Sequence, residues 1–147
     1  MKKFLIVDDD SDDSEMFCEA FQEAIPRSIC FRAPNGRRAL MALDNEEIEL
    51  PDLIFLDINM PLMDGWQCLT KLKEGEPYQN IPVIMYSTSS YPEDVAKAQR
   101  LGALCFFSKP SNFNELKKGL SLVVEHLNMG SLDSLVHSSS LFATTSA

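Results

Sequence analysis

The sequence predicts an α/β domain built on a doubly wound parallel sheet. Short apolar runs alternate along the chain with stretches of helical periodicity, which is typical of consecutive βαβ units. The apolar runs are short enough to be strands buried on both faces. Five strands are predicted, at residues 4–7, 29–33, 53–56, 82–86 and 104–107. With 147 residues the chain has the size of one ordinary domain.

The first two helices are recognised by their apolar faces. Between residues 11 and 25, apolar residues recur at helical spacing, at Met16, Phe17, Ala20, Phe21, Ala24 and Ile25. Asp12 and Asp13 lie near the start of this helix, where acidic residues compensate the helix dipole, and Pro26 ends it. Asn35-Gly36 opens the second helix. Its predicted buried residues are Ala39, Leu40 and Leu43.

The other three helices have start and stop signals in the sequence. Asp64 is predicted to cap the third helix, which should end at Gly75, ahead of Pro77. The fourth helix is predicted to have Ser90 as its cap, Pro92 in its first turn and Gly102 as its stop. The fifth helix has an apolar seam formed by Phe113, Leu116, Leu120, Val123 and Leu127.

The composition changes to serine and threonine after Asn128. We therefore expect a folded domain over residues 1–127 and a flexible tail over residues 128–147. Leu132, Leu135 and Val136 have helical spacing, so a short helix that docks on the body or on a partner remains an alternative.

Charge and hydropathy exclude several classes of function. Thirteen basic against 22 acidic residues give a net charge of −9, which opposes binding to nucleic acid or to anionic lipid. No apolar stretch approaches the ~20 residues of a membrane span. The apolar run at 4–7 is shorter than the roughly 7–15 residues of an export signal. A cytoplasmic protein is therefore expected.

The four cysteines give no sign of a zinc site or a redox motif. Cys18, Cys30, Cys68 and Cys105 are widely separated and include no Cys-x-x-Cys pair. We expect them to be small buried apolar residues.

Carboxylates follow two of the predicted strands directly. Asp8, Asp9 and Asp10 come after the first strand, and Asp57 comes after the third. Ligands bind at the carboxyl ends of strands in sheets of this kind, so these side chains should meet at one edge. Like charges about 4 Å apart repel by roughly 4 kcal/mol at an effective dielectric near 20. The cluster therefore predicts either a bound cation or a protonated carboxyl group.

Taken together, these features resemble a response-regulator receiver domain of the two-component signalling type, from about Lys2 to Leu127. The marks are the acid pair Asp8-Asp9, Asp57 within the segment LDINMPLMDG, Ser87 at the end of the fourth strand, and Lys109-Pro110 after the fifth. The resemblance implies a CheY-like, flavodoxin-like sheet of five parallel strands in the order 2-1-3-4-5 with five helices.

The resemblance also implies a divalent metal, Mg²⁺ or Mn²⁺, at the acidic edge. Asp9 and Asp57 would bind it directly, Asn59 through its backbone carbonyl, and Asp8 through water. Asp8, Asp9 and Asp57 sum to −3, and a divalent ion with the Lys109 ammonium brings this sum to zero. Charge balance thus supports the metal independently of the resemblance.

By the same resemblance, Asp57 is the phosphoacceptor. A carboxylate attacks an activated phosphorus to form an acyl phosphate. Lys109 would balance the phosphoryl oxygens and the Ser87 hydroxyl would hydrogen-bond one of them. Ser87 and the aromatic residue of the fifth strand, here Phe106, would form the switch. Receiver domains usually have tyrosine or histidine at that position, and phenylalanine lacks their polar tip.

The function expected from these residues is that of a stand-alone two-component response regulator. It would take a phosphoryl group from the phosphohistidine of a sensor histidine kinase or phosphotransfer protein, and signal through the face of the fourth helix, fifth strand and fifth helix. It would not be an enzyme beyond catalysing its own phosphoryl transfer and dephosphorylation. Two alternatives stay open: a phosphatase with a nucleophile in the Asp8-Asp9-Asp10 segment, and a binding module that works without phosphorylation. The phosphatase is disfavoured because the later acidic metal motif is missing and Asp57 would have no role.

Overall fold

A six-stranded sheet forms the centre of the fold over the residues that the structure describes. The computed structural model describes residues 1–88, 91–110, 112–132, 134 and 142–143. The strands are β1 (Lys2–Val7), β2 (Ser28–Ala33), β3 (Leu53–Asp57), β4 (Val83–Ser87), β5 (Cys105–Ser108) and β6 (Phe142–Ala143). Their order in the sheet is β2-β1-β3-β4-β5-β6. The predicted doubly wound parallel sheet is confirmed, since the first five strands are parallel.

The sixth strand is an addition to the predicted sheet. Phe142 and Ala143 pair antiparallel with Phe107 and Phe106 at the edge of β5. Two residues are too short a segment for strand periodicity to be visible in a sequence. Leu135 and Val136, on which the alternative of a docking helix rests, lie outside the described residues, and a flexible tail stays a prediction there.

In the described part of the chain, five α-helices cover the two faces of the sheet. They are α1 (Ser11–Ala24), α2 (Gly36–Asp44), α3 (Gly65–Leu72), α4 (Pro92–Arg100) and α5 (Phe113–Met129). Buried side chains of α1 and α5 pack with Phe4 and Ile6 in one core cluster. Those of α2, α3 and α4 pack with Leu5 and Val7 in the other. Alternate residues of β1 thus enter opposite clusters, which explains why residues 4–7 form an uninterrupted apolar run.

The sequence signals at the ends of α3 and α4 are matched in part. Asp64 caps α3 through a reciprocal capping box with Gln67. The helix ends at Leu72 rather than near Gly75, and the Lys73 ammonium then binds the carbonyls of Gln79 and Ile81. Helix α4 begins at Pro92, with Tyr91 in the N-cap position, and Ser90 lies outside the described residues.

Replacing Asp64 with alanine is expected to lower the free energy of unfolding by about 1 kcal/mol, because the backbone N–H of Gln67 loses its side-chain acceptor. Urea denaturation would measure the change. Glu19→Ala, at an exposed position inside α1, is the matched loss of an acidic side chain and should change stability by less than about 0.5 kcal/mol. Equal effects of the two substitutions would contradict a specific role of the cap.

The prediction that all four cysteines are small buried residues was wrong for two of them. Cys68 and Cys105 are free and buried, as expected. Cys18 and Cys30 are joined in a disulfide between α1 and β2, with their Cα atoms 5.5 Å apart. The fold brings together two cysteines that lie 12 residues apart in the chain, a pairing that sequence spacing alone does not reveal.

Among the described residues, no helix combines the length and the apolar character needed to cross a lipid bilayer. The longest, α5, has 17 residues and includes Glu115, Lys117, Lys118 and Glu125.

Candidate functional site

The carboxyl ends of four parallel strands bring the predicted site residues to one edge of the sheet. Asp8 follows β1, Asp57 ends β3, Ser87 ends β4 and Lys109 follows β5. Asp8, Asp9 and Asp57 each offer a carboxylate oxygen within 4.8 Å of the others. Asp8 and Asp57 are buried while Asp9 is exposed. Solvent therefore reaches the cluster at Asp9, while Asp8 and Asp57 are shielded from it.

Asp57 is in an environment that opposes its charge. The pKa of the Asp57 carboxyl is raised to about 7, mainly by burial and also by the nearby Asp8, while Lys109 acts in the opposite direction. The backbone N–H of Ile58 donates to its Oδ1 atom at 2.9 Å, which favours the carboxylate. One lysine and one amide do not compensate the buried charge. Three convergent carboxylates with a cation deficit fit a hard divalent ion such as Mg²⁺ or Mn²⁺.

Asp8 is held on both of its oxygens by groups of the protein. Oδ1 accepts the backbone N–H of Asp10 at 3.0 Å. Oδ2 accepts the Tyr86 hydroxyl at 2.7 Å and the Lys109 ammonium at 3.2 Å. A carboxylate with this many protein donors is suited to contact a metal through water, which supports the indirect role implied by the resemblance.

Lys109 lies among acidic and aromatic groups. Its Nζ atom is 3.2 Å from Asp8 Oδ2 and 3.2 Å from Asp13 Oδ2, and it lies 4.5 Å from the centre of the Tyr86 ring. Burial lowers the pKa of the ammonium, but Asp57, Asp8 and Asp13 together outweigh burial and raise it. Lys109 is therefore a firmly charged group at the centre of the cluster.

Two residues of this cluster were not predicted as part of the site. Asp13 is interpreted from the sequence as a helix-dipole residue, but its carboxylate pairs with Lys109. Tyr86 is fully buried in β4, and burial together with Asp8 raises the pKa of its phenol well above the ordinary value. A signal for Tyr86 does exist in the sequence: a tyrosine in a buried apolar strand needs a partner for its hydroxyl.

The remaining predicted residues are placed as follows. Ser87 is buried at the end of β4, and Phe106 is fully buried in β5, opposite Met85 and Ala143. Asn59 lies in the loop after β3, two residues beyond Asp57, with an exposed side chain. The metal, phosphoryl-transfer and switch roles of all these residues stay predictions.

Comparison with known proteins identifies the family. The model of the response regulator receiver domain matches residues 4–121. The sporulation initiation phosphotransferase F of Bacillus subtilis is 34% identical over 116 residues, which cover 79% of this chain and 88% of that protein. A protein-glutamate methylesterase/protein-glutamine glutaminase of Syntrophomonas wolfei is 36% identical over 112 residues, or 75% of this chain. The chain spans only 30% of the length of that longer relative.

Solved structures agree with this assignment. The phosphorylated cyanobacterial phytochrome response regulator RcpA superposes with a TM-score of 0.79 at 26% identity, over 88% of this chain and 95% of that one. The Mn²⁺-bound form of response regulator Rcp1 superposes with a TM-score of 0.74 at 28% identity, over 84% and 91%. The chain therefore belongs to the response regulator receiver domain family.

Proposed function

We propose that this receiver domain is a phosphoacceptor switch in which Asp57 receives a phosphoryl group with the help of a divalent metal. Receiver domains act as phosphoacceptors in two-component signalling. The observation that carries the assignment to Asp57 is the convergence of Asp8, Asp9 and Asp57 within 4.8 Å, next to the partly buried Lys109 ammonium. The donor would be the phosphohistidine of a sensor histidine kinase or of a phosphotransfer protein.

In the transfer step, an oxygen of the Asp57 carboxylate attacks the phosphorus, a P–O bond forms, and the bond from phosphorus to the imidazole nitrogen breaks. Asp9, Asp57 and the Asn59 carbonyl would hold Mg²⁺ or Mn²⁺, with Asp8 behind a water molecule. The metal would neutralise charge on the phosphoryl oxygens, which is most of the catalysis in phosphoryl transfer. Lys109 would pair with a phosphoryl oxygen, and the Ser87 hydroxyl would donate to another.

The arrangement disfavours Asp8 as the nucleophile of a phosphatase. Its side chain is fully buried, and both of its oxygens accept hydrogen bonds from the protein. Repositioning it for attack would break a charge-assisted hydrogen bond, which is worth roughly 1.5–3 kcal/mol.

The output surface is proposed to be the face formed by α4, β5 and α5, with Ser87 and Phe106 as the switch. Phe142 is buried against Phe107, their ring centres 4.7 Å apart. A partner that adds a strand to the edge of β5 would have to displace the pair Phe142–Ala143. This chain covers most of the length of two relatives, response regulator Rcp1 and sporulation initiation phosphotransferase F. They support the proposal that the receiver domain acts as a switch by itself.

Phosphorylation is tested by incubating the protein with acetyl phosphate and Mg²⁺, followed by intact-mass measurement. The wild type should gain one phosphoryl group, and Asp57→Asn should gain none, because the amide is not a nucleophile for this reaction. Glu93→Gln removes an exposed carboxylate of α4 and should be labelled like the wild type. Removal of the metal with EDTA should prevent labelling. Equal labelling of Asp57→Asn and the wild type would refute the proposal.

A further inference from the structure

The resting position of Lys109 is set by groups other than the predicted phosphoacceptor. Its ammonium contacts Asp8 Oδ2 from the end of β1 and Asp13 Oδ2 from the first turn of α1, each at 3.2 Å. The Lys109 side chain is 12% exposed, so these contacts are partly shielded from solvent. Asp57 acts on Lys109 through its charge, and the ammonium is directed at Asp8 and Asp13.

Asp8 and Asp13 differ in the groups that can hydrogen-bond to them when the Lys109 ammonium moves away. Asp8 keeps the hydroxyl of Tyr86 and the backbone N–H of Asp10 as donors. Asp13 is 37% exposed at its side chain, so water can replace the ammonium. The Lys109–Asp13 contact can therefore be broken without leaving a buried charge unpaired, and it is the contact that moves most readily.

We propose that Asp13 is a positioning residue that holds Lys109 on the α1 side of the site until a phosphoryl group arrives. This inference rests on the proposed phosphorylation of Asp57. Two of the three ammonium donors are directed at Asp8 and Asp13, and Asp57 acts on Lys109 through its charge. Movement of the ammonium toward a phosphoryl oxygen on Asp57 weakens these two contacts, and Asp13 is the partner it leaves. Asp13 therefore opposes phosphoryl uptake, and it sets how readily Lys109 is released.

The test compares Asp13→Asn with Asp12→Asn in the full chain. Both substitutions remove one negative charge from the first turn of α1, so they change the net charge and the helix-dipole interaction equally. Of these two residues, Asp13 is the one that pairs with Lys109 in the structure, and Asp12 is exposed. The labelling uses acetyl phosphate and Mg²⁺ at 0.15 M salt, where the screening length is about 8 Å. Asp13→Asn should be labelled about threefold to fivefold faster than the wild type. Asp12→Asn should stay within about twofold of the wild type.

A second measurement separates an effect through Lys109 from a general effect of charge. The melting temperature of the metal-free protein is measured for Asp13→Asn, Lys109→Met and the double variant. If the Lys109–Asp13 ion pair forms, Asp13→Asn should shift the melting temperature of the wild type but not that of the Lys109→Met variant. Faster labelling without this coupling would mean that Asp13 acts through space, and the inference would be wrong.

The outcomes separate this inference from the proposed function. If the wild type is not labelled, the phosphoacceptor assignment fails. If the wild type is labelled but Asp13→Asn is no faster than Asp12→Asn, only the inference about Asp13 fails. Slower labelling of Asp13→Asn would mean that Asp13 aims Lys109 at the phosphoryl group, which is the opposite of the proposal.

Discussion

In the absence of divalent metal, Asp57→Asn is expected to stabilise the protein at pH 8, although it removes the proposed phosphoacceptor. The pKa of Asp57 is raised from the ordinary 3.8 to about 7, mainly by burial. Between these two pH values the folded protein binds a proton that the unfolded chain has released, so stability falls as the pH rises through this window. Each unit of pKa difference corresponds to about 1.4 kcal/mol, which makes about 4 kcal/mol the upper bound of the penalty above pH 7. Asparagine has no charge to bury.

The measurement is urea denaturation in EDTA at pH 4, 6 and 8. Asp57→Asn should exceed the wild type by roughly 2–4 kcal/mol at pH 8, and the gain should shrink toward zero at pH 4. Glu93→Gln, at an exposed carboxylate, should follow the wild type at all three pH values. Excess Mg²⁺ should stabilise the wild type at pH 8 by mass action, and Asp57→Asn much less. A metal-free Asp57→Asn that is less stable than the wild type at pH 8 would show that the Asp57 charge is compensated within the protein.

The parts of the site that the sequence predicts are those that depend on one strand at a time. Asp8 and Asp57 each follow an uninterrupted apolar run, and the parallel order of the strands is enough to place both at one edge. Asp64 is recognised as a cap because its partner Gln67 is three residues away. These inferences require only local patterns and the direction of the strands.

The parts that the sequence does not predict depend on how separate elements pack. The Lys109–Asp13 pair joins residues 96 positions apart, and the hydrogen bond from Tyr86 to Asp8 joins residues 78 positions apart. The first depends on the position at which α1 packs on its face of the sheet, and the second joins the ends of β1 and β4, which have β3 between them. No local pattern encodes either. A one-turn shift of α1 would move Asp13 away from Lys109, since one turn is about 5.4 Å. The Cys18–Cys30 bond, between α1 and β2, depends on the same packing.

Gly65→Ala is expected to have the second large effect, because Gly65 lies against the backbone that carries the site. A Cβ atom at this position would lie 2.2 Å from the carbonyl oxygen of Asp57 and 2.8 Å from the Cα atom of Ile58. Its backbone N–H donates to the Ile58 carbonyl at 2.8 Å, so the start of α3 is tied to the end of β3. Backbone atoms cannot change rotamer to make room, so either the helix or the strand end must move.

We expect Gly65→Ala to lower the free energy of unfolding by about 3 kcal/mol or more, at the upper end of the usual penalty for overpacking. Gly75→Ala is the matched control, because a Cβ atom there meets no other atom within 4 Å, and it should change stability by less than about 1 kcal/mol. Calorimetric titration with Mn²⁺ should also show weaker binding to Gly65→Ala, since movement of the strand end displaces Asp57 and Asn59 relative to Asp9. If Gly65→Ala matched Gly75→Ala in both stability and Mn²⁺ affinity, the close contact between α3 and the end of β3 would not determine the geometry of the acidic site.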